Sequence, residues 1–213
     1  VNMDMASGTY IQQLVALVHA GRVPETAIDS AVRPILAAKF RLGLFERPYA
    51  DEARAKTVIG APEHREAARD AARRSAVLLR NEGGLLPLAK DAGKSVAVIG
   101  PLADTKRDLL TMWSGFDLDP TPTVTVVEGI RNKLGARARV EHAQGVQIRK
   151  EYPSMFEDFL GGPKVEPWSE ARARDEFAKA VELAKRSDVI VLVLGELQLM
   201  SGEWASQSSL GLP

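Results

Sequence analysis

The stretch Ser95-Val96-Ala97-Val98-Ile99-Gly100-Pro101 decides the fold. It is short, almost wholly apolar and closed by Gly-Pro, the pattern of a strand buried on both faces. Asp188-Val189-Ile190-Val191-Leu192-Val193-Leu194-Gly195 repeats it strongly, and Arg139-Val140-Glu141-His142-Ala143 repeats it weakly. Helical patterns lie between them over 124–134 and 169–186. Ser169 is placed to cap the second helix, and Phe177, Val181 and Leu183 supply its apolar contacts. Strands buried on both faces and alternating with helices predict an α/β fold with a parallel sheet. Right-handed crossovers then bring the strand C-terminal ends to one edge, where ligands of such sheets usually sit.

Upstream the period changes to that of helices. Tyr10, Leu14, Leu17 and Val18 recur at spacings of three and four, and Gly21 stands where that helix should stop. A second helix begins at Pro24 and Glu25. Its apolar stripe runs through Ala27, Ile28, Ala31, Val32, Ile35, Leu36 and Phe40, and Pro34 is expected to kink it. Such an αα-hairpin alone cannot bury both faces. Residues 46–61 mix Pro, Gly and charge and read as a linker. A third helix, rich in Ala and Arg, is expected after Pro62 to about Arg80, with Ala68, Ala72, Ala76 and Leu79 on one side, ended by the turn Asn81-Glu82-Gly83-Gly84.

Composition removes several functions. The 213 residues carry 28 Lys+Arg against 28 Asp+Glu and no cysteine. Zero net charge with both signs scattered argues against a nucleic-acid partner, which a basic face would announce. Disulfides and Cys-ligated zinc are impossible. The three histidines, His19, His64 and His142, are too scattered for a multi-His metal site. No apolar run approaches the roughly 20 residues a membrane-spanning helix needs. The first strand is followed by Gly100-Pro101 rather than a glycine-rich phosphate cradle, and Pro101 lacks the N–H such a cradle would use. Asp117 and Asp119 lack the ligand spacing of a calcium loop. The chain opens Val1-Asn2-Met3-Asp4-Met5 without a signal segment and closes on Leu210-Gly211-Leu212-Pro213, which reads as an internal piece of a longer polypeptide.

Two loops therefore attract attention. Gly100-Pro101-Leu102-Ala103-Asp104 leads toward Met112-Trp113-Ser114-Gly115, and Gly195-Glu196-Leu197-Gln198-Leu199-Met200-Ser201-Gly202-Glu203-Trp204 follows the last strand. A carboxyl held against an indole in a partly dry site keeps its proton to higher pH, which is what a general acid needs. Glu203 beside Trp204 is thus a candidate acid, the bland alternative being a solvated surface carboxylate. Glu196, at a strand end, is better placed to accept backbone hydrogen bonds and order the loop. Trp113 and Trp204 are either packing residues or platforms for a ligand, and Trp168 reads as a loop anchor.

Taken together, several segments resemble glycoside hydrolase family 3, most of all its bacterial periplasmic β-glucosidases. They are Val1-Asn2-Met3-Asp4-Met5, Arg41-Leu42-Gly43-Leu44-Phe45, Ser75-Ala76-Val77-Leu78-Leu79-Arg80-Asn81 with Leu86-Pro87-Leu88, Val96-Ala97-Val98-Ile99-Gly100-Pro101-Leu102-Ala103-Asp104, and Ser187-Asp188-Val189 through Gly195-Glu196. Their order and spacing cover essentially the whole chain. The resemblance implies that residues 1–45 are the C-terminal end of a (β/α)8-type barrel, that 46–84 are an interdomain linker with a helix, and that 85–213 begin an α/β sandwich domain, with the active site between barrel and sandwich. Since a barrel takes about 250 residues, most of it would lie outside this chain.

In such retaining glycosidases an Asp attacks the anomeric carbon while a second carboxylic acid protonates the leaving oxygen. The family's Ser-Asp-Trp nucleophile motif does not occur here. Its acid/base loop resembles Gly-Glu-x-x-x-Met-x-x-Glu-x-x-Ser, onto which Gly195-Glu196, Met200, Glu203 and Ser206 fall residue by residue, so the resemblance gives Glu203 the acid/base role and leaves Glu196 ordering the loop. Asn2 stands where the family usually has Asp. Met3, Met5, Trp113 and Trp204 are the residues it suggests for contact with substrate. The implied activity is a β-glucosidase acting on terminal β-linked glucose of cello-oligosaccharides or aryl glucosides, without metal or cofactor, in the periplasm or secreted. A non-catalytic carbohydrate-binding or interdomain module and a β-xylosidase are the alternatives. Neither a nucleic acid nor a membrane is expected as a partner.

Overall fold

The computed structural model describes residues 1–89, 95–110, 122–149, 166–200, 202–203, 205 and 208–213. The chain divides into two compact units, Val1–Leu79 and Arg80–Pro213.

The first unit is helical. Helix α1 (Thr9–His19) and helix α2 (Glu25–Arg41) are joined by a turn in which the amides of Arg22 and Val23 both donate to the carbonyl of Leu17. Helix α2 runs continuously through Pro34. Neither helix buries a single residue, as expected of a hairpin whose apolar stripes have too little to pack against. The 46–61 stretch holds a helix that its Pro, Gly and charged residues gave no reason to expect, α3 (Glu52–Val58). Asp51 caps α3 by accepting from the amides of Ala53 and Arg54 at 3.0 and 3.2 Å. Helix-favouring Ala, Arg and Lys then carry it without the apolar period that would have announced it. Helix α4 (Pro62–Ser75) starts at its proline but is shorter than expected. Ala76 is already extended, so Ala76 and Leu79 fall outside the helix. The sequence there turns to Val77-Leu78-Leu79, which a helix exposed all round has no apolar surface to receive.

The second unit holds a parallel three-stranded sheet of β1 (Ser95–Ile99), β2 (Arg139–Ala143) and β3 (Val189–Leu192), in the order β2-β1-β3. Strand β1 lies centrally, with Val96 opposite Val140 on one side and Val189 on the other. Helix α5 (Val126–Leu134) connects β1 to β2, and helix α6 (Glu170–Lys185) connects β2 to β3. The alternation of side chains along β1 assigns each helix a face. Val96 and Val98 meet Val127, Ile130 and Leu134 of α5, while Ala97 and Ile99 meet Ala180, Leu183 and Ala184 of α6. Both faces of β1 are thereby buried. Strand β3 differs from its expected full burial: Ile190 and Leu192 remain 49% and 61% exposed. They lie on the α6 side of a strand that is outermost among the described residues, and α6 packs on residues of β1 and β2 instead. Asp188 sets the sheet's starting register, accepting from both the amide and the hydroxyl of Ser95 at 2.9 Å.

Candidate active site

In the order β2-β1-β3, the first connection runs from β1 outward to β2 and the second returns from β2 past β1 to β3 on its other side, so the switch point lies between the C-terminal ends of β1 and β3. The loops singled out in the sequence emerge there. Gly100 makes the close approach possible. With φ of 138°, it lies where a Cβ would stand 2.1 Å from the carbonyl oxygen of Val193, so only glycine fits. Its amide donates to Ala143 O at 3.1 Å, while Val193 N–H donates to Ile99 O at 2.8 Å.

The loop after β1 is riveted to the start of α5. Buried Thr125 accepts from the Glu128 amide, and the Glu128 carboxylate accepts from the Thr125 amide, a reciprocal capping box. The same Thr125 hydroxyl donates to Asp104 Oδ1 at 2.7 Å, and the Val127 amide donates to Ala103 O. Lys106 reaches Glu128 at 3.2 Å. The Thr125 amide and then Lys106 hold the Glu128 carboxyl below the usual range.

The loop after β3 is anchored by Leu199 and Met200, both buried. The Met200 amide donates to Leu197 O at 3.0 Å, and the Leu197 amide points at Met200 Sδ at 3.4 Å. Beyond this pedestal a tight turn runs from Gly202 to Ala205, closed by the Ala205 amide on Gly202 O at 3.2 Å. Glu203 occupies that turn and is exposed.

Two neighbouring residues, Asp108 and Arg107, join the two loops. Asp108 Oδ1 accepts from the backbone amide of Gln198 at 3.0 Å, while Oδ2 accepts from the Thr105 hydroxyl at 2.7 Å. Arg107 Nε donates to Gln198 Oε1 at 3.4 Å. The loop after β3 is thus braced from across the sheet edge. Glu196 itself is exposed and makes no hydrogen bond among the described residues. The sequence reading missed Asp108, although Thr105-x-x-Asp108 carries the Thr-x-x-acid pattern of a turn that closes on its own side chains.

The remaining candidates are placed unevenly. Met3 and Met5 are 62% and 90% exposed within the first unit, in a segment tied to α1 by Asp4, which accepts from the Ser7 hydroxyl and the Tyr10 amide. Trp113, Trp204 and Ser206 lie outside the described residues, as do Asp117 and Asp119. Trp168 is the loop anchor it was read to be: it is buried, its amide donates to Gln147 Oε1 at 2.8 Å, and the Arg172 guanidinium lies 4.8 Å from its ring centroid.

A doubly covered parallel sheet with two cross-braced loops at its switch point defines an α/β domain of the kind that presents side chains to a ligand from its carboxyl edge. Residues 76–213 match the model of the glycosyl hydrolase family 3 C-terminal domain, and the chain belongs to glycoside hydrolase family 3. It is 35% identical to the periplasmic β-glucosidase of Salmonella typhimurium, over all of this chain and 28% of that protein. It is 29% identical to a β-xylosidase of Formosa agariphila, again over all of this chain and 28% of the relative. Among solved structures it resembles a β-glucosidase from Listeria innocua in complex with glucose, with a TM-score of 0.74 and 32% identity, covering 100% of this chain and 25% of that one. The chain therefore spans about 28% of the length of these curated relatives.

Proposed function

We propose that this chain belongs to a retaining β-glucosidase and supplies its acid/base, Glu203, while the nucleophile comes from elsewhere in the enzyme. The observation that carries the reading is the end-to-end likeness to β-glucosidases, one with glucose bound, along a chain that presents Glu203 on an exposed turn beyond the anchored switch-point loop. Glu203 protonates the glycosidic oxygen as an Asp attacks the anomeric carbon. As a carboxylate it then takes a proton from the water that releases the glycosyl-enzyme. In this reading residues 1–45 close a (β/α)8-type barrel, 46–84 connect, and 85–213 begin the sandwich domain. Met3, Met5, Trp113 and Trp204 contact the sugar. Substrates are β-linked glucosides and cello-oligosaccharides, and the enzyme acts in the periplasm or outside the cell.

The test is a leaving-group series in the full-length enzyme. Glu203→Gln should lower kcat/KM for cellobiose and phenyl glucoside by about 10²–10⁴-fold, the usual worth of a general acid, and spare dinitrophenyl glucoside. Glu203→Ala should regain turnover of the activated substrate with azide. Unchanged cellobiose hydrolysis by the Gln variant would refute the assignment. The β-xylosidase relatives favour a second reading of specificity. Paired kcat/KM values on aryl glucosides and aryl xylosides decide between the two sugars.

A further inference from the structure

We infer that Asp108 is a positioning residue for the acid/base: it fixes the loop that carries Glu203 by clamping it to the loop after β1. The inference rests on the assignment of Glu203 above. Glu203 sits on an exposed turn, and its direction depends on how firmly the preceding loop is held. Leu199 and Met200 fix that loop's burial, and Asp108 supplies an acceptor from outside it, taking the Gln198 amide at 3.0 Å. The carboxylate is itself oriented, because Thr105 donates to its other oxygen at 2.7 Å and Arg107 reaches the Gln198 side chain. The bracing continues backward. The stretch bearing Thr105 and Asp108 is bound to the N-terminus of α5 by Asp104 on Thr125, Lys106 on Glu128 and the Val127 amide on Ala103. The position of Glu203 is thereby referred to a helix packed on the sheet rather than to a free loop. A charged acceptor on a backbone amide is well suited to this, since such bonds are shorter and stronger than neutral ones.

A proton donor shifted by about 1 Å loses up to about a hundredfold in rate without losing substrate affinity. In the full-length enzyme, Asp108→Ala should lower kcat/KM about tenfold to a hundredfold for cellobiose and phenyl glucoside and leave dinitrophenyl glucoside within about twofold. Asp108→Asn keeps an acceptor for the Gln198 amide and should recover part of the loss. Glu203→Gln is measured in parallel, together with the double variant. With the acid gone, removing the clamp should slow poor leaving groups no further. Should Asp108→Ala fail to fold, Thr105→Val removes only the hydroxyl that orients the carboxylate, and it must show the same leaving-group pattern in milder form. If Glu203→Gln collapses cellobiose turnover while the clamp variants act equally on all leaving groups, or their effects multiply in the double variant, the positioning role is overturned and the acid assignment stands. If Glu203→Gln leaves cellobiose turnover intact, both readings fall.

Discussion

Gly100 shows how one residue can constrain the carboxyl edge of this sheet. Its missing Cβ lets β1 and β3 approach at the switch point, where any side chain would collide with the backbone of Val193. Backbone atoms cannot rotate aside as a side-chain tip can. Gly100→Ala should therefore destabilise the protein by about 3 kcal/mol or more, since it combines an unfavourable φ with a steric clash. Urea unfolding followed by circular dichroism would show the loss, and an unchanged midpoint would contradict the packing described. The Gly-Pro at the end of β1 was visible in the sequence as a strand terminator. Its steric role was not, because the partner lies more than ninety residues away on a strand that only folding brings alongside.

At the scale of elements, α5 does more than cover one face of the sheet. Its first turn is the fixed point to which the loop after β1 is attached, and Thr125 serves both the helix cap and Asp104. Thr125→Ala should cost about 1–2 kcal/mol, the upper part of the range for N-caps, because a second bond is lost with the first. Melting temperature and hydrogen exchange at the α5 amides would register it. Acid should act on the same turn. The folded Glu128 carboxyl lies below its ordinary value of 4.5, so its contribution is fully present above that value. Protonation removes it as pH falls through the lower, folded value. Glu128→Gln should accordingly flatten the stability profile below about pH 4.5, a difference that melts in a pH series can detect. The alternating pattern made α5 and α6 legible beforehand. Helix α3 leaves no signal in the sequence because its seven residues have no apolar period, and the end of α4 leaves none because an alanine-rich helix carries no local sign of where packing stops supporting it.

For the whole molecule, the central expectation is that chemistry requires more than this chain. It carries one proposed catalytic carboxyl, and a retaining glycosidase needs two on opposite sides of the scissile bond. The isolated 213 residues should show no hydrolysis of nitrophenyl glucoside above buffer. Activity in that preparation, abolished by Glu203→Gln, would refute the division of labour.

The sequence by itself determined the strands, the principal helices and the edge on which to look, because buried parallel strands leave runs of apolar residues and capped helices leave fixed spacings. It also carried the family, through short motifs kept in order along the chain. Tertiary structure alone decided that, among the described residues, β3 lies at one end of the sheet with Ile190 and Leu192 exposed, and that Asp108 braces the loop before Glu203. Both depend on which distant segments become neighbours. The hydrogen bond from Gln198 to Asp108 spans 90 positions, a separation at which local pattern contains no trace of the partner.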